Sequence, residues 1–487
     1  MEQLKKTQQQ QIETLKKEGS RKLEEVRVSN RMYLDQQFQQ NTETRHRARL
    51  FANRAVADRA EVVLNNFLDI GGYFRAGFGR DDNGGAMTGF IAPGALAKYR
   101  LGNEAENFGE AIFSKSFFVP GSFALTDSNA DQSAQAPSQP IAKFQFRVDF
   151  FNEYENFASS EDTNVGLPEA WASIGNVLSR QPSAKFWAGN RFYRRRDIGL
   201  NDFFIWNISG GGAGVEDIAW GQSKLAFAWI GTGATSGFSD LPQPDPANQA
   251  GFSKTNLDMR LYELPLLGGE LELGLTYAWA ESGFDASGVK GPHSTGYAIN
   301  LVHTTEALIS GDGFNTFALQ YGTQAAKTFT SGFETFVQNG AVFIRPELEN
   351  SWRLRLSDEF TATLNEHFSM GAVFIYQDTD YRGDLGKETW LSAGVRPIVH
   401  FNKFLSLAFE AGVDNVRSTA NNTHDSLYKF TIAPQISLGN RFNSRPTIRL
   451  FATWASWGDD FKGQIGGNDY ANETQAFSFG VQTEAWW

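Results

Sequence analysis

A chain of 487 residues with 48 Gly, 42 Phe, 13 Tyr and 12 Trp at a mean hydropathy of -0.38 describes many turns and aromatic segments without a long apolar run. The absence of Cys excludes disulfides and thiolate metal sites, and no stretch reaches the roughly 18 consecutive apolar residues of a membrane helix, which says nothing against crossing by strands. The net charge of -11 divides unevenly, with 13 basic and 9 acidic residues in 1–61 against 31 and 46 in the remainder; that mixed-sign tail, lacking aromatic platforms, makes nucleic acid a poor partner.

Residues 1–66 contain no Pro and one Gly and are rich in Gln, Glu, Lys and Arg, so they read as helix. Met1 is followed by a polar stretch without the apolar core of an export signal, as expected of a mature form. Leu4, Ile12, Leu15, Leu23, Val26 and Leu34 follow steps of 8 and 3, an eleven-residue repeat with Gln8, Gly19 and Asn30 at the intermediate seam positions. Such a repeat predicts a straight or slightly right-handed helical bundle. A helix this polar lacks an apolar face for a core of its own, so assembly with copies of itself is expected, with a solvated helix as the alternative.

From 67 to 487 the pattern becomes that of strands separated by Gly, Asn, Asp and Ser turns. Period-two alternation runs through Lys143–Phe150, Glu270–Trp279, Trp352–Leu356, Tyr428–Leu438 and Ile448–Trp457. Phe144, Phe146, Val148 and Phe150 share one face, and Lys143, Gln145, Arg147 and Asp149 the other. At the C-terminus Phe477, Phe479, Val481, Ala485 and Trp487 oppose Ser478, Gly480, Gln482, Glu484 and Trp486. Apolar-out, polar-in strands of about ten residues predict an all-β transmembrane antiparallel barrel, because only closed barrels satisfy every strand backbone group in lipid. A charge facing lipid would cost about 2 to 4 kcal/mol at the midplane, so the charged faces must line a wet lumen. The polar segments Thr126–Pro140, Thr232–Lys254 and Asp285–Ser294 read as surface loops or an inward constriction loop. Gly210–Gly214 lacks the Lys-Ser/Thr of a phosphate loop and reads as a turn.

Seven strings stand in order along this region: Lys98–Glu104 (KYRLGNE), Trp187–Tyr193 (WAGNRFY), Ile208–Gly214 (ISGGGAG), Asp414–Val416, Ser444–Pro446, Phe451–Thr453 and Glu484–Trp487. In register from about Gly72 to Trp487, they resemble the maltoporin family of sugar-specific porins. The resemblance implies a trimeric barrel of 18 strands in the bacterial outer membrane, with an aromatic slide flanked by ionisable residues. The N-terminal helix is similar to the coiled-coil extension of sucrose porins, which implies a periplasmic position and leaves open a contact with peptidoglycan.

Sugars present apolar CH faces and polar edges, so a track for them needs aromatic planes beside charged hydrogen-bonding groups. Tyr73, Phe108, Phe157, Trp390 and Trp486 match slide positions of the family, and alternation independently turns Tyr73, Trp390 and Trp486 inward. Arg75, Arg100, Glu110, Arg195, Asp197 and Asp202 match its polar track. Phe204 and Asn207 stand at the constriction where the family pattern has Tyr and Asp. Ile299 replaces a slide Phe, Gly199 a His, and Pro168 a track Arg, so the preferred sugar is not fixed as a maltodextrin. Trp457 and Trp487 read as interface-girdle residues. The six His show no metal spacing, and neither metal nor cofactor is expected. An outer-membrane hydrolase would need a Ser–His pair on the outer wall, which nothing in the sequence singles out. The expected function is oligosaccharide diffusion through a selective porin, with a general diffusion porin as the alternative.

Overall fold

The computed structural model describes residues 69–118, 140–152, 164–201, 203–233, 253–281, 293–306, 308, 313–338, 341–344 and 349–487. The helix expected over residues 1–66 lies outside them. In chain order the strands are β1 (Asp69–Asp81), β2 (Asn107–Phe118), β3 (Ile141–Asn152), β4 (Asn164–Gly175), β5 (Lys185–Arg191), β6 (Arg196–Ile198), β7 (Phe203–Trp206), β8 (Gly210–Trp220), β9 (Ser223–Gly233), β10 (Ser253–Leu266) and β11 (Gly269–Glu281). They continue as β12 (Ser294–Glu306), β13 (Phe314–Thr323), β14 (Thr335–Gln338), β15 (Ala341–Ile344), β16 (Trp352–Asn365), β17 (Phe368–Asp380), β18 (Lys387–His400), β19 (Leu405–Ser418), β20 (Thr423–Ser437), β21 (Thr447–Trp457) and β22 (Gln475–Trp486).

Two short hairpins, β6–β7 and β14–β15, stand apart from one antiparallel sheet of 18 strands. Each strand of that sheet pairs with its neighbour in sequence, and β22 returns to β1 with Trp486 opposite Tyr73 and Glu484 opposite Arg75. The sheet is thus a closed barrel without an edge, the arrangement that leaves no strand backbone unpaired in a bilayer. Alternation follows the sequence reading closely. On β16, Arg353, Arg355, Ser357 and Glu359 are buried inside, whereas Leu275, Tyr277, Leu391, Val395, Phe430 and Phe479 are exposed on the outer face. Among the described residues no helix is long and apolar enough to cross a membrane.

Two connecting segments fold into the barrel and position the site. Residues 86–106, between β1 and β2, reach the far wall, where Tyr99 lies against Gly394 and Gly412, a pair in register on β18 and β19. A Cβ on Gly394 would sit 2.1 Å from the Tyr99 ring and one on Gly412 2.3 Å from it, so the two glycines make the slot. The Leu101 N–H donates to Glu410 at 3.0 Å, and Asn103 ties the segment together through the carbonyls of Phe90 and Tyr99. Residues 192–209, carrying β6 and β7, form the second segment. The carbonyl of Ile205 accepts from Gln320 and Arg355, and the Gly199 N–H donates to Glu359 at 2.7 Å. The Lys98 and Arg100 N–H groups donate to the carbonyls of Asn201 and Leu200, which joins the two segments.

The described segments that fold inward are these two, both rich in aromatic and charged side chains; the three polar segments expected as surface or constriction loops lie mostly outside the described residues. Gly210–Gly214 is the start of β8, not a turn: a Cβ on Gly214 would lie 2.7 Å from the Trp187 indole nitrogen, so glycine there admits the ring. Trp457 is not a girdle residue either. It is 3% exposed and packs inward against Phe90 and Tyr470, while Trp487 is 53% exposed on the outer face.

Candidate functional site

The β1–β2 and β1–β22 registers place Tyr73 beside Phe108 and Trp486 on the inner wall. Their ring centres are 6.2 Å and 6.4 Å from Tyr73, with Trp486 almost parallel to it at 12°. Ile112 and Phe151 complete the cluster, and Phe204, on β7 of the inward hairpin, packs against it. Four of the expected residues, from three distant parts of the chain, thus converge.

A charged band borders these rings. Arg100 donates to the Tyr73 hydroxyl at 3.1 Å and to Glu104 and Glu484 at 3.0 Å each. Arg75 pairs with Glu104 at 3.1 Å and with Glu106, and its guanidinium stands 5.8 Å from the Phe108 ring. Arg445 and Arg449 meet the other side of Glu484 at 2.7 and 3.1 Å. On the next strands Arg147 bridges Glu110 at 3.0 Å and Glu169 at 2.8 Å. Arg195 lies 3.5 Å over Phe192 and 5.3 Å from Phe204. Burial by itself would raise the Glu104 carboxyl, but the guanidinium groups of Arg100 and Arg75 overcome this and hold it at about 2.

The arrangement sets three aromatic rings, of which Trp486 keeps 6% of its surface and Tyr73 and Phe108 1% and 2%, beside hydrogen-bonding charges, the two kinds of group that a sugar's apolar face and polar edge call for. Glu104, Glu106, Arg147, Glu169, Arg445, Arg449 and Glu484 were not among the expected track residues. Alternation already turned Arg147 and Glu484 inward, and that inward charge was the signal available for them.

The remaining expected residues lie elsewhere. Trp390 is fully buried, donates to Asp414 at 3.0 Å, and is met edge-on by Phe203 at 5.1 Å. It belongs to the packing beneath the inward segments rather than to the Tyr73 cluster. Asp197 is buried, and neither of its oxygens has a hydrogen-bond partner among the described residues. Asn207 is sewn to the segment after β13: its N–H donates to the Phe329 carbonyl at 2.9 Å and its side-chain oxygen accepts from Ser209. Phe157 and Asp202 lie outside the described residues. Ile299 cannot be a slide position, because it is 52% exposed on the outer face while Ala298 and Asn300 point inward. Pro168 sits at a bulge between β3 and β4, and Glu169 takes the adjoining inward place.

No group of three or more His, Cys, Asp or Glu among the described residues is arranged to hold a metal. Ser369 and His400 do meet at 2.8 Å, but both are buried on the inner side and Ser369 also contacts Thr363 at 3.3 Å. This pair is not on the outer wall where a lipid-facing hydrolase requires it.

Among solved structures, Pseudomonas aeruginosa OpdK with vanillate is 10% identical with a TM-score of 0.42, covering 86% of this chain and 99% of its own. P. aeruginosa OccD3 (OpdP) is 10% identical with a TM-score of 0.43 over 88% and 92%, and the outer membrane channel DcaP of Acinetobacter baumannii is 9% identical with a TM-score of 0.40 over 86% and 97%. The LamB porin family matches residues 68–487, a span that takes in every strand of the barrel, and the chain belongs to that family.

Proposed function

We propose that the protein is a sugar-selective porin of the outer membrane, through which oligosaccharides diffuse along Tyr73, Phe108 and Trp486 beside Arg75, Arg100, Glu110 and Glu484. The observation that carries this reading is the placement of three aromatic rings and the charged band on one inner wall. Several weak contacts in a row suit passage, since conduction requires entry without trapping. Asp197, Arg195 and Phe204 on the inward hairpin set the narrowest part in this reading, and Phe157 and Asp202 add to the track. The functional unit is a trimer, with residues 1–66 as a periplasmic helical bundle that locks it or meets peptidoglycan.

A second reading, a general diffusion porin, is favoured by the cover over two of the rings: Arg445 over Trp486 and Phe203 against Trp390. Single-channel conductance in a planar bilayer, with titration of maltotriose, sucrose and a β-linked disaccharide, separates the two. Saturable block by one sugar is the expected result; ohmic current untouched by all three leaves only the general porin. Deletion of residues 1–66 is expected to leave the conductance of each pore unchanged.

A further inference from the structure

The inward segment 86–106 turns to two different stretches of the barrel wall as it passes Tyr99, Arg100 and Leu101. The Tyr99 ring fills the Gly394–Gly412 slot on β18 and β19, and its hydroxyl lies 3.0 Å from Ser392. The Leu101 N–H donates to Glu410 on β19 at 3.0 Å, and the Leu101 carbonyl accepts from Lys429 and, at 3.0 Å, from Thr431, both on β20. The Gly102 carbonyl accepts from Thr453 on β21 at 3.3 Å. With φ of 69° and a Cβ position only 2.1 Å from the Thr453 hydroxyl oxygen, that residue has to be glycine. Beside these anchors the Arg100 side chain turns the other way, to the Tyr73 hydroxyl on β1 and Glu484 on β22.

Glu410 is the hub of the β18–β21 stretch, and it is fully buried. One carboxylate oxygen takes both the Leu101 N–H and the Lys429 ammonium, at 3.0 and 2.9 Å, and the other takes Arg396 Nε at 2.7 Å. Arg396 reaches on to the Leu200 carbonyl at 3.2 Å, which also accepts the Arg100 N–H at 3.3 Å. Glu410 is thus bonded to the residue after Arg100 directly, and to Arg100 itself by way of Arg396 and Leu200. Register supplies the geometry: Glu410 pairs with Thr431 and Gly412 with Lys429, so the two side chains that grip the Leu101 carbonyl are the direct and the diagonal neighbour of Glu410. A buried network of charge-assisted hydrogen bonds is rigid, whereas an arginine side chain has several rotatable bonds. The anchored backbone therefore decides where the Arg100 guanidinium arrives.

We propose that Glu410 is a positioning residue for passage: through the Leu101 N–H it sets the register of the inward segment, and so the place at which Arg100 meets Tyr73 and Glu484. Selectivity at the Tyr73 cluster is then governed in part by a carboxylate that touches neither the rings nor the solute. For an effect on sugars this rests on the sugar-porin reading; for an effect on ions it rests only on the chain being a porin.

The test uses two substitutions in the full chain that remove the same charge. Glu410→Gln retains a carbonyl oxygen for the Leu101 N–H and Glu410→Ala does not. Each is made in the parent and in an Arg100→Gln background, and planar bilayers give the half-blocking concentration of maltotriose and the potassium-to-chloride permeability ratio. In the parent background Glu410→Ala is expected to raise the half-block about twofold to tenfold above Glu410→Gln, the worth of one net hydrogen bond, and to differ from it in permeability ratio. In the Arg100→Gln background the two should coincide, because the group they displace is gone. A residue that only stabilises the barrel would show no such dependence on Arg100. Gly412→Ala, whose Cβ would lie 2.3 Å from the Tyr99 ring, shifts the segment without changing any charge and decides the matter if Glu410→Ala does not fold: it should weaken block in the parent and not in Arg100→Gln. Equal values for Glu410→Gln and Glu410→Ala in the parent, a difference of the same size without Arg100, or a Gly412→Ala channel with the parent's properties overturns the assignment. Should maltotriose not block the unsubstituted channel, the sugar reading fails by itself, and the permeability ratio decides by the same criteria.

Discussion

The guanidinium carbon of Arg445 lies 4.2 Å from the centre of the Trp486 ring, over one face of the last aromatic residue of the inner wall. Tyr73 stacks on the same indole at 6.4 Å. A sugar that uses Trp486 must therefore compete with a cation for aromatic surface. Arg445→Ala is expected to lower the half-blocking concentration of maltotriose by about twofold to fivefold, as for a cation–π contact of about 0.5 to 1 kcal/mol, whereas Arg445→Lys should stay near the parent. An unchanged half-block in Arg445→Ala would mean that the covered face of Trp486 is not part of the track.

Glu484 is the anion that holds this wall together. Arg100, Arg445 and Arg449 converge on it at 2.7 to 3.1 Å, and the Tyr73 hydroxyl donates to it at 3.1 Å. Its neutralisation leaves Arg445 and Arg449 without their carboxylate, while Arg100 keeps Glu104 at 3.0 Å, and breaking a buried pair from one side typically costs about 3 to 5 kcal/mol. Glu484→Gln should lower the urea midpoint of the detergent-solubilised barrel and shift the reversal potential toward anions. A variant with the parent's midpoint and selectivity would show that the three cations need no common partner.

How much of this was legible in the sequence differs between wall and lumen. Alternation by itself turned Tyr73, Arg75, Trp390 and Trp486 inward, because strand side chains change sides at every residue and a closed barrel has only two sides. Alternation cannot tell which inward residues remain accessible. That depends on where the non-alternating segments 86–106 and 192–209 fold, and their contacts link residues up to a few hundred positions apart, such as Tyr99 with Ser392 at 3.0 Å. Trp390 and Trp486 looked equivalent for this reason, yet one lies beneath Phe203 and the other beside Phe204. The placement of Ile299 went wrong for the complementary reason: a position carried over from the family pattern slipped by one residue relative to the pleat, and one residue changes the face.

Asp197 gives the inward hairpin a pH response of definite sign. The residue hangs inside the barrel on β6, outside the spanning strands. Burial, with Glu359 adding to it and Arg195 opposing, lifts its carboxyl well above the ordinary value of 3.8. An acid whose pKa is higher in the folded than in the unfolded state contributes stability below its unfolded pKa and loses it as the pH rises through the folded value. Asp197→Asn does not ionise, so it should gain on the parent progressively as the pH is raised from about 4 toward 8. Denaturant midpoints across that range give the measurement; a difference that is flat with pH would rule out a strained carboxylate at this position.

Trp390 and Trp486 can be separated by what their removal does. Trp390 is fully buried, with its indole N–H on Asp414 and Phe203 edge-on against it, so Trp390→Ala opens a cavity and leaves Asp414 short of a donor. The expected loss is about 3 to 5 kcal/mol of stability, as for other buried aromatic truncations, with the maltotriose half-block unchanged in those channels that do fold. Trp486 packs in a different buried cluster, with Tyr73 and Phe108, and keeps 6% of its surface; on the sugar-porin reading Trp486→Ala should instead weaken maltotriose block, by several fold if stacking on the ring is worth about 0.5 to 1.5 kcal/mol. Phe203→Ala provides the complementary test. Removing the cover from Trp390 should add a ring to the proposed track and strengthen block; if it does not, Trp390 is a packing residue of the far wall.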